Sequence, residues 1–170
     1  DAPQRFGVFL KNAMFGKVAF KQVFYINSSN DSAYECERYS KLLKQYPTDI
    51  IFMGIGENGH IAFNDPHIAK FDDTEAVKVV DLDIACRQQQ VNDGCFATLD
   101  DVPTHAITLT IPTLMAGKHL FCMVPAKTKE MAVTKTVYGD VTADCPASIL
   151  KKHNSAILFT DSESGKGLLA

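Results

Sequence analysis

Residues 49–60 read Asp49-Ile50-Ile51-Phe52-Met53-Gly54-Ile55-Gly56-Glu57-Asn58-Gly59-His60, an unbroken apolar run that passes straight into a glycine-rich turn. An apolar stretch of this length without polar alternation predicts a strand covered on both faces within a parallel sheet. Toward the C-terminus, further strands are expected over 76–80, 105–111, 120–124 and 156–160, with helical stretches over 86–92, 127–137 and 147–153 between them. Toward the N-terminus, Pro47 ends a helix over 34–46 whose cap comes from Asn27-Ser28-Ser29-Asn30-Asp31. A strand is expected over 23–26, and Phe6, Phe9, Leu10 and Ala13 lie at the spacing of an amphipathic helix over 5–15. This alternation predicts an α/β fold, a Rossmann-like three-layer sandwich with a mainly parallel sheet, whose ligands bind beyond the C-terminal ends of the strands.

The 170 residues suffice for one domain with a sizeable core, and 46% hydrophobic with 22% charged residues is the composition of a globular protein. No repeat divides the chain, so a single domain over 1–170 is expected, with Asp161-Ser162-Glu163-Ser164-Gly165-Lys166-Gly167 as a polar tail. A net charge of -3 gives no general attraction to phosphate backbones or anionic lipid, which argues against nucleic-acid and membrane partners. The five cysteines are odd in number and form no C-x-x-C pair, so they read as reduced, mostly buried thiols. No apolar run approaches the roughly 20 residues of a membrane span, and the first residues lack the pattern of a signal peptide. The cytoplasm is the expected compartment, and the two glycosylation sequons within 27–32 read as loop and cap chemistry.

Gly54, Gly56 and Gly59 satisfy the G-x-G-x-x-G spacing of dinucleotide-binding turns. A Rossmann turn needs a long helix behind its third glycine, whereas Pro66 follows after only six residues, so that reading loses support. What remains is a turn that brings backbone close to a ligand and presents His60 at the start of a short helical turn, where the helix dipole favours neutral imidazole. Asp65 can orient the imidazole only if the helix ends before it, as Pro66 encourages. Alone, His60 would read as a capping or packing residue; Asn58 and Asp65 beside it favour a proton-transfer site. A metal site of Glu57, His60, Asp65 and His67 is the rival, but its spacing matches no standard zinc motif, and no metal or other cofactor is expected.

The stretch GIGENGHIAFNDP over 54–66 resembles the signature of the glucosamine-6-phosphate deaminase/isomerase family, which includes galactosamine-6-phosphate isomerases. The related 6-phosphogluconolactonases share the turn but read D-G-H-T-A, whereas Ile61-Ala62-Phe63-Asn64 follows the amino-sugar version. The resemblance continues through Ile107-Thr108-Leu109-Thr110 and the stretch PAKTKEMAV to the chain's end. It implies hydrolytic deamination and isomerisation of a hexosamine 6-phosphate, with His60 handling the proton that opens the pyranose ring, aided by Asn58 and Asp65. It also implies a sugar-phosphate partner held by Lys129, with Gly56 and Gly59 at the substrate; the alternative is a surface lysine.

Two departures stand out. The family's carboxylate at Asp65 is commonly glutamate, and its phosphate-binding arginine has no counterpart in Cys86-Arg87-Gln88-Gln89-Gln90-Val91-Asn92, where Arg87 is offset. Family members also carry, ahead of the position of Asp1, a phosphate loop and a strand ending in Asp-Glu-Tyr whose aspartate is the enolising base. The expectation is therefore the C-terminal two thirds of a longer sugar-phosphate isomerase domain, homo-oligomeric or not. A catalytically weakened sugar-phosphate-binding regulator and a 6-phosphogluconolactonase-like hydrolase are the alternative readings.

Overall fold

A computed structural model describes residues 5–169. In chain order the elements are α1 (Phe6–Leu10), continued by a π-helical turn over Lys11–Phe15, then α2 (Ser32–Gln45), β1 (Ile50–Met53), β2 (Val77–Asp81) and α3 (Ile84–Asn92). They are followed by β3 (His105–Leu109), α4 (Ile111–Met115), β4 (His119–Val124), α5 (Glu130–Tyr138) and β5 (Ala156–Thr160).

Three strands form a parallel sheet in the order β1-β4-β5, with Met53 beside Cys122 and Val124 beside Thr160. Because β1 and β4 are adjacent and parallel, the loops leaving them emerge on one edge: residues 54–60 after β1, and the turn over Lys127–Lys129 after β4. That edge is where ligand crevices form in sheets of this type. β2 and β3 form a separate antiparallel pair, with Lys78 opposite Thr108.

One face of the parallel sheet is packed. Leu120, Cys122 and Val124 of β4 are buried with Ile55, Ile61, Ile111, Val133 and Ala147, and Ile51, Met53 and Leu158 join them. The opposite face presents Ile50, Phe52, Met123, Ile157 and Phe159, all exposed, with stacked rings Phe52–Phe121 and Phe121–Phe159. Residues 50–53, expected to be covered on both faces, are covered on one face only among the described residues. The packing elements, α5 and the 3-10 segment Pro146–Lys152 among them, lie on the side of Ile51 and Met53.

Other boundaries also differ from the sequence reading. Residues 23–26 are extended but pair with no strand among the described residues; instead Arg38 Nη2 and Tyr39 Oη donate to the Tyr25 and Phe24 carbonyls. The helix expected over 127–137 opens as a 3-10 turn and becomes α-helical at Glu130, while that expected over 147–153 is entirely 3-10 behind Pro146. The expected polar tail is folded: Ser164 is buried, and the Tyr138 hydroxyl donates to the Leu168 carbonyl.

α2 is held by a fully buried carboxylate. Glu35 accepts from the Asn27 amide, from Asn30 Nδ2 and from Nε and Nη2 of Arg38. The Arg38 guanidinium leads these in holding the Glu35 carboxyl at about 2, below its ordinary 4.5. A folded-state value below the unfolded one means stability that is fully present above pH 4.5 and lost as pH falls toward about 2. Glu35→Ala is therefore expected to lower stability at neutral pH by roughly 1.5–3 kcal/mol, and the difference from the parent chain should shrink between pH 4.5 and pH 2. Denaturant titration of both proteins across that range checks it.

Candidate active site

The loop after β1 is shaped by its glycines. The Gly56 amide donates to the His60 carbonyl and the Gly59 amide to the Gly56 carbonyl, which closes the loop on itself. Gly59 takes the left-handed conformation at φ 87°, and a Cβ there would press on Cys145 Sγ. Gly56 does something different: a Cβ built on it would overlap the His60 imidazole. The ring lies over the bare Cα.

No helix begins at His60. Ile61 and Asn64 instead form a tight antiparallel bridge, Ala62 adopts φ 50°, and Asn64 Nδ2 donates to the Ile61 and Leu109 carbonyls. The Phe63 amide donates to Thr108 Oγ1, so the loop is stitched to the end of β3. The helix-dipole argument for the imidazole therefore does not apply. The reversal at 61–64 brings Asp65 back under the ring.

His60 Nδ1 is 3.0 Å from Asp65 Oδ1 and 2.8 Å from Asn58 Oδ1. The orientation of the Asn58 amide follows from its neighbours: Nδ2 donates to Asp65 Oδ1 and Asp83 Oδ2, and Oδ1 accepts from the His60 amide. Both neighbours of Nδ1 are acceptors, so in this network Nδ1 carries the proton and, in the neutral ring, Nε2 holds the lone pair. Asp65 is completely buried and His60 is 8% exposed. Burial pushes the Asp65 carboxyl up, but the hydrogen bonds from His60 and Asn58 outweigh it and hold the group below its ordinary value.

The structure adds residues that the sequence did not single out. Asp83 is the N-cap of α3: its Oδ1 accepts from the Cys86 amide at 2.6 Å, while its own amide donates to Asp65 Oδ2 at 3.3 Å. Cys86, one turn into α3, is buried against Asp65; burial first, and then the Asp65 and Asp83 charges, push its thiol up to about 12, so it is a neutral donor. Gln89 Oε1 accepts from the Glu57 amide. An aspartate followed three residues later by Cys86 is readable as a cap, but its link back to Asn58 spans 25 residues.

Lys129 closes the turn after β4. Its Nζ is buried and, among the described residues, has no hydrogen-bond partner; Gln90 Nε2 is in the same condition. Desolvation pushes the Lys129 ammonium below its ordinary value, with Glu57, Asp93 and Cys86 opposing that shift. A buried ammonium with no hydrogen-bond partner among the described residues, at the C-terminal edge of the sheet, suits an anionic group. Arg87 is engaged elsewhere, with Nη2 donating to the Leu99 and Val102 carbonyls. The rival metal quartet of Glu57, His60, Asp65 and His67 is not brought together: among the described residues, ligand-forming atoms cluster as His60, Asp65 and Cys86, or as Asp65, His67 and Asp83, without Glu57.

The profile of the family described as glucosamine-6-phosphate isomerases/6-phosphogluconolactonase matches residues 1–159, and the chain belongs to that family. The glucosamine-6-phosphate deaminase of Listeria welshimeri is 34% identical over 163 residues, covering 95% of this chain and 68% of the relative. That of Streptococcus gordonii is 34% identical over 165 residues, covering 96% and 68%. A solved structure of a monomeric glucosamine-6-phosphate deaminase superposes with a TM-score of 0.89 at 31% identity, over 98% of this chain and 69% of that one. A 6-phosphogluconolactonase from Thermotoga maritima reaches 0.66 at 18% identity, covering 90% and 63%, a likeness of fold alone.

The overlap at Gly56 yields a direct prediction. Gly56→Ala should displace the imidazole and separate Nδ1 from Asp65 while the sheet stays intact. Nitrogen-15 spectra of His60 should lose the hydrogen-bonded Nδ1–H signal with far-ultraviolet circular dichroism unchanged; a preserved signal would contradict the packing.

Proposed function

We propose that the chain is a hexosamine-6-phosphate deaminase/isomerase, converting glucosamine 6-phosphate or galactosamine 6-phosphate to the ketose 6-phosphate and ammonia. The observation that carries the reading is the network around His60: Nδ1 is committed to Asp65 and Asn58, which leaves Nε2 as the proton carrier. In ring opening, Nε2 takes the proton of the anomeric hydroxyl and returns it to the ring oxygen as the C1–O5 bond breaks. Asp65 stabilises the imidazolium formed between the two events; Asn58 positions it and relays no proton.

Lys129, on the same sheet edge, is assigned to the phosphate. Gly56 and Gly59 form the floor and the bend of the loop that meets the sugar. Support for the substrate class comes from deaminase relatives at 34% identity, against lactonases that share the fold at 18%. A weakened, binding-only protein is the less favoured reading. The Asp65 carboxylate, shorter than the family's common glutamate, nevertheless lies 3.0 Å from the ring. Five unpaired cysteines fit a cytoplasmic setting.

His60→Gln in the full-length protein is expected to lower the rate of ammonia release from glucosamine 6-phosphate by about 10²–10⁴-fold, the usual size of a general acid–base contribution. Unchanged turnover in the variant would remove His60 from the mechanism. Preferential hydrolysis of 6-phosphogluconolactone by the parent protein would replace the assignment with the lactonase one.

A further inference from the structure

We infer that Asp83 is a positioning residue for His60, dividing its two carboxylate oxygens between the cap of α3 and the amide that holds the imidazole. Its role in turnover rests on the reading proposed above; its effect on the imidazole does not.

Asn58 Nδ2 has two acceptors, Asp65 Oδ1 and Asp83 Oδ2, both at 3.0 Å. Asn58 Oδ1 serves the His60 amide and faces Nδ1. Asp83 thus fixes the side of Asn58 opposite the imidazole, and its own amide donates to the outer oxygen of Asp65. Each of the two groups that receive the Nδ1 proton is therefore tied to Asp83, one through its side chain and one through its backbone. The remaining carboxylate oxygen, Oδ1, accepts from the Cys86 amide.

The division has a mechanical meaning. Asp83 connects β2 to α3 and lies 23 residues beyond His60 in the chain, counted from the sequence. The loop after β1 carries few side-chain anchors of its own, since three of its seven residues over 54–60 are glycine. A carboxylate on a separate element supplies the rigidity that such a backbone lacks. A second bond from α3, Gln89 Oε1 to the Glu57 amide, holds the same loop one residue earlier. Placing a proton carrier within a fraction of an ångström depends on such supporting contacts.

Capping and positioning can be separated by substitution, because serine caps a helix about as well as aspartate yet has a single acceptor atom. Asp83→Ala removes both contacts and Asp83→Ser restores only the cap. The test measures Tm, the nitrogen-15 signal of His60 Nδ1–H, and kcat and KM for glucosamine 6-phosphate in the full-length protein. Both variants are expected to broaden or lose the Nδ1–H signal and to lower kcat by about tenfold to a hundredfold, the effect of losing one charge-assisted hydrogen bond, with KM nearly unchanged. Tm should fall in Asp83→Ala and return in Asp83→Ser.

Recovery of kcat and of the Nδ1–H signal together with Tm in Asp83→Ser would reduce Asp83 to a helix cap and overturn the proposal. Failure of serine to restore Tm would overturn the division of labour. If the parent protein releases no ammonia, the functional reading fails while the Nδ1–H signal still decides the role of Asp83.

Discussion

His60 Nδ1 faces two oxygens, Asn58 Oδ1 at 2.8 Å and Asp65 Oδ1 at 3.0 Å, in a setting where Asp65 has no exposure to solvent. That arrangement leaves one way to place the ring proton, and every other feature of the site either produces it or uses it. The bridge between Ile61 and Asn64 brings Asp65 beneath the ring, and Asp83 holds Asn58 from behind. Gly56 admits the imidazole over its bare Cα. A buried carboxylate without these donors would be driven toward its neutral form; here the donors outweigh desolvation, and the Asp65 carboxyl is held below its ordinary value.

The sheet contributes direction. Parallel pairing of β1 with β4 sends the His60 loop and the Lys129 turn out of one edge, so the imidazole and a buried ammonium without a hydrogen-bond partner among the described residues lie on loops at the same end of the sheet. Further along that edge, β5 steadies the second of these loops. Asp161, just past its end, accepts from the amide of Ala126, which adopts φ 83° immediately before Lys127. Hydrogen bonds from the Ser164 and Ala126 amides hold the Asp161 carboxyl at about 2. The two loops at this edge are thus each held by an aspartate from a different element, Asp83 for the first and Asp161 for the second.

Much of this was legible in the sequence. Strand and helix order could be read because periodicity and turn residues are local signals, and the histidine stood out because Asn58 and Asp65 flank it in a glycine-rich stretch that Pro66 closes. Burial was harder: Ile50, Ile51, Phe52 and Met53 are all apolar, so their alternation between a packed and an exposed face leaves no mark on the pattern. The strand expected over 23–26 illustrates the same limit, since β propensity cannot supply a partner. Asp83 and Cys86 were not singled out because their importance lies in contacts with Asn58 and Asp65 across a long separation. The contact of Asp65 with His60 was readable only as a condition on where the chain stops being helical, and the bridge at 61–64 meets that condition.

Family membership supports a phosphorylated amino sugar as substrate, and the proposed placement puts the sugar ring over Nε2 of His60 with its phosphate at Lys129. A crystal structure of the full-length protein with a non-reacting hexosamine 6-phosphate analogue tests it most directly. The expected complex has the ring oxygen or anomeric hydroxyl within hydrogen-bond reach of Nε2, the Nδ1 contacts to Asp65 and Asn58 unchanged, and a phosphate oxygen on Lys129 Nζ. A ligand bound with its phosphate away from Lys129, or with Nε2 facing no sugar oxygen, would contradict it.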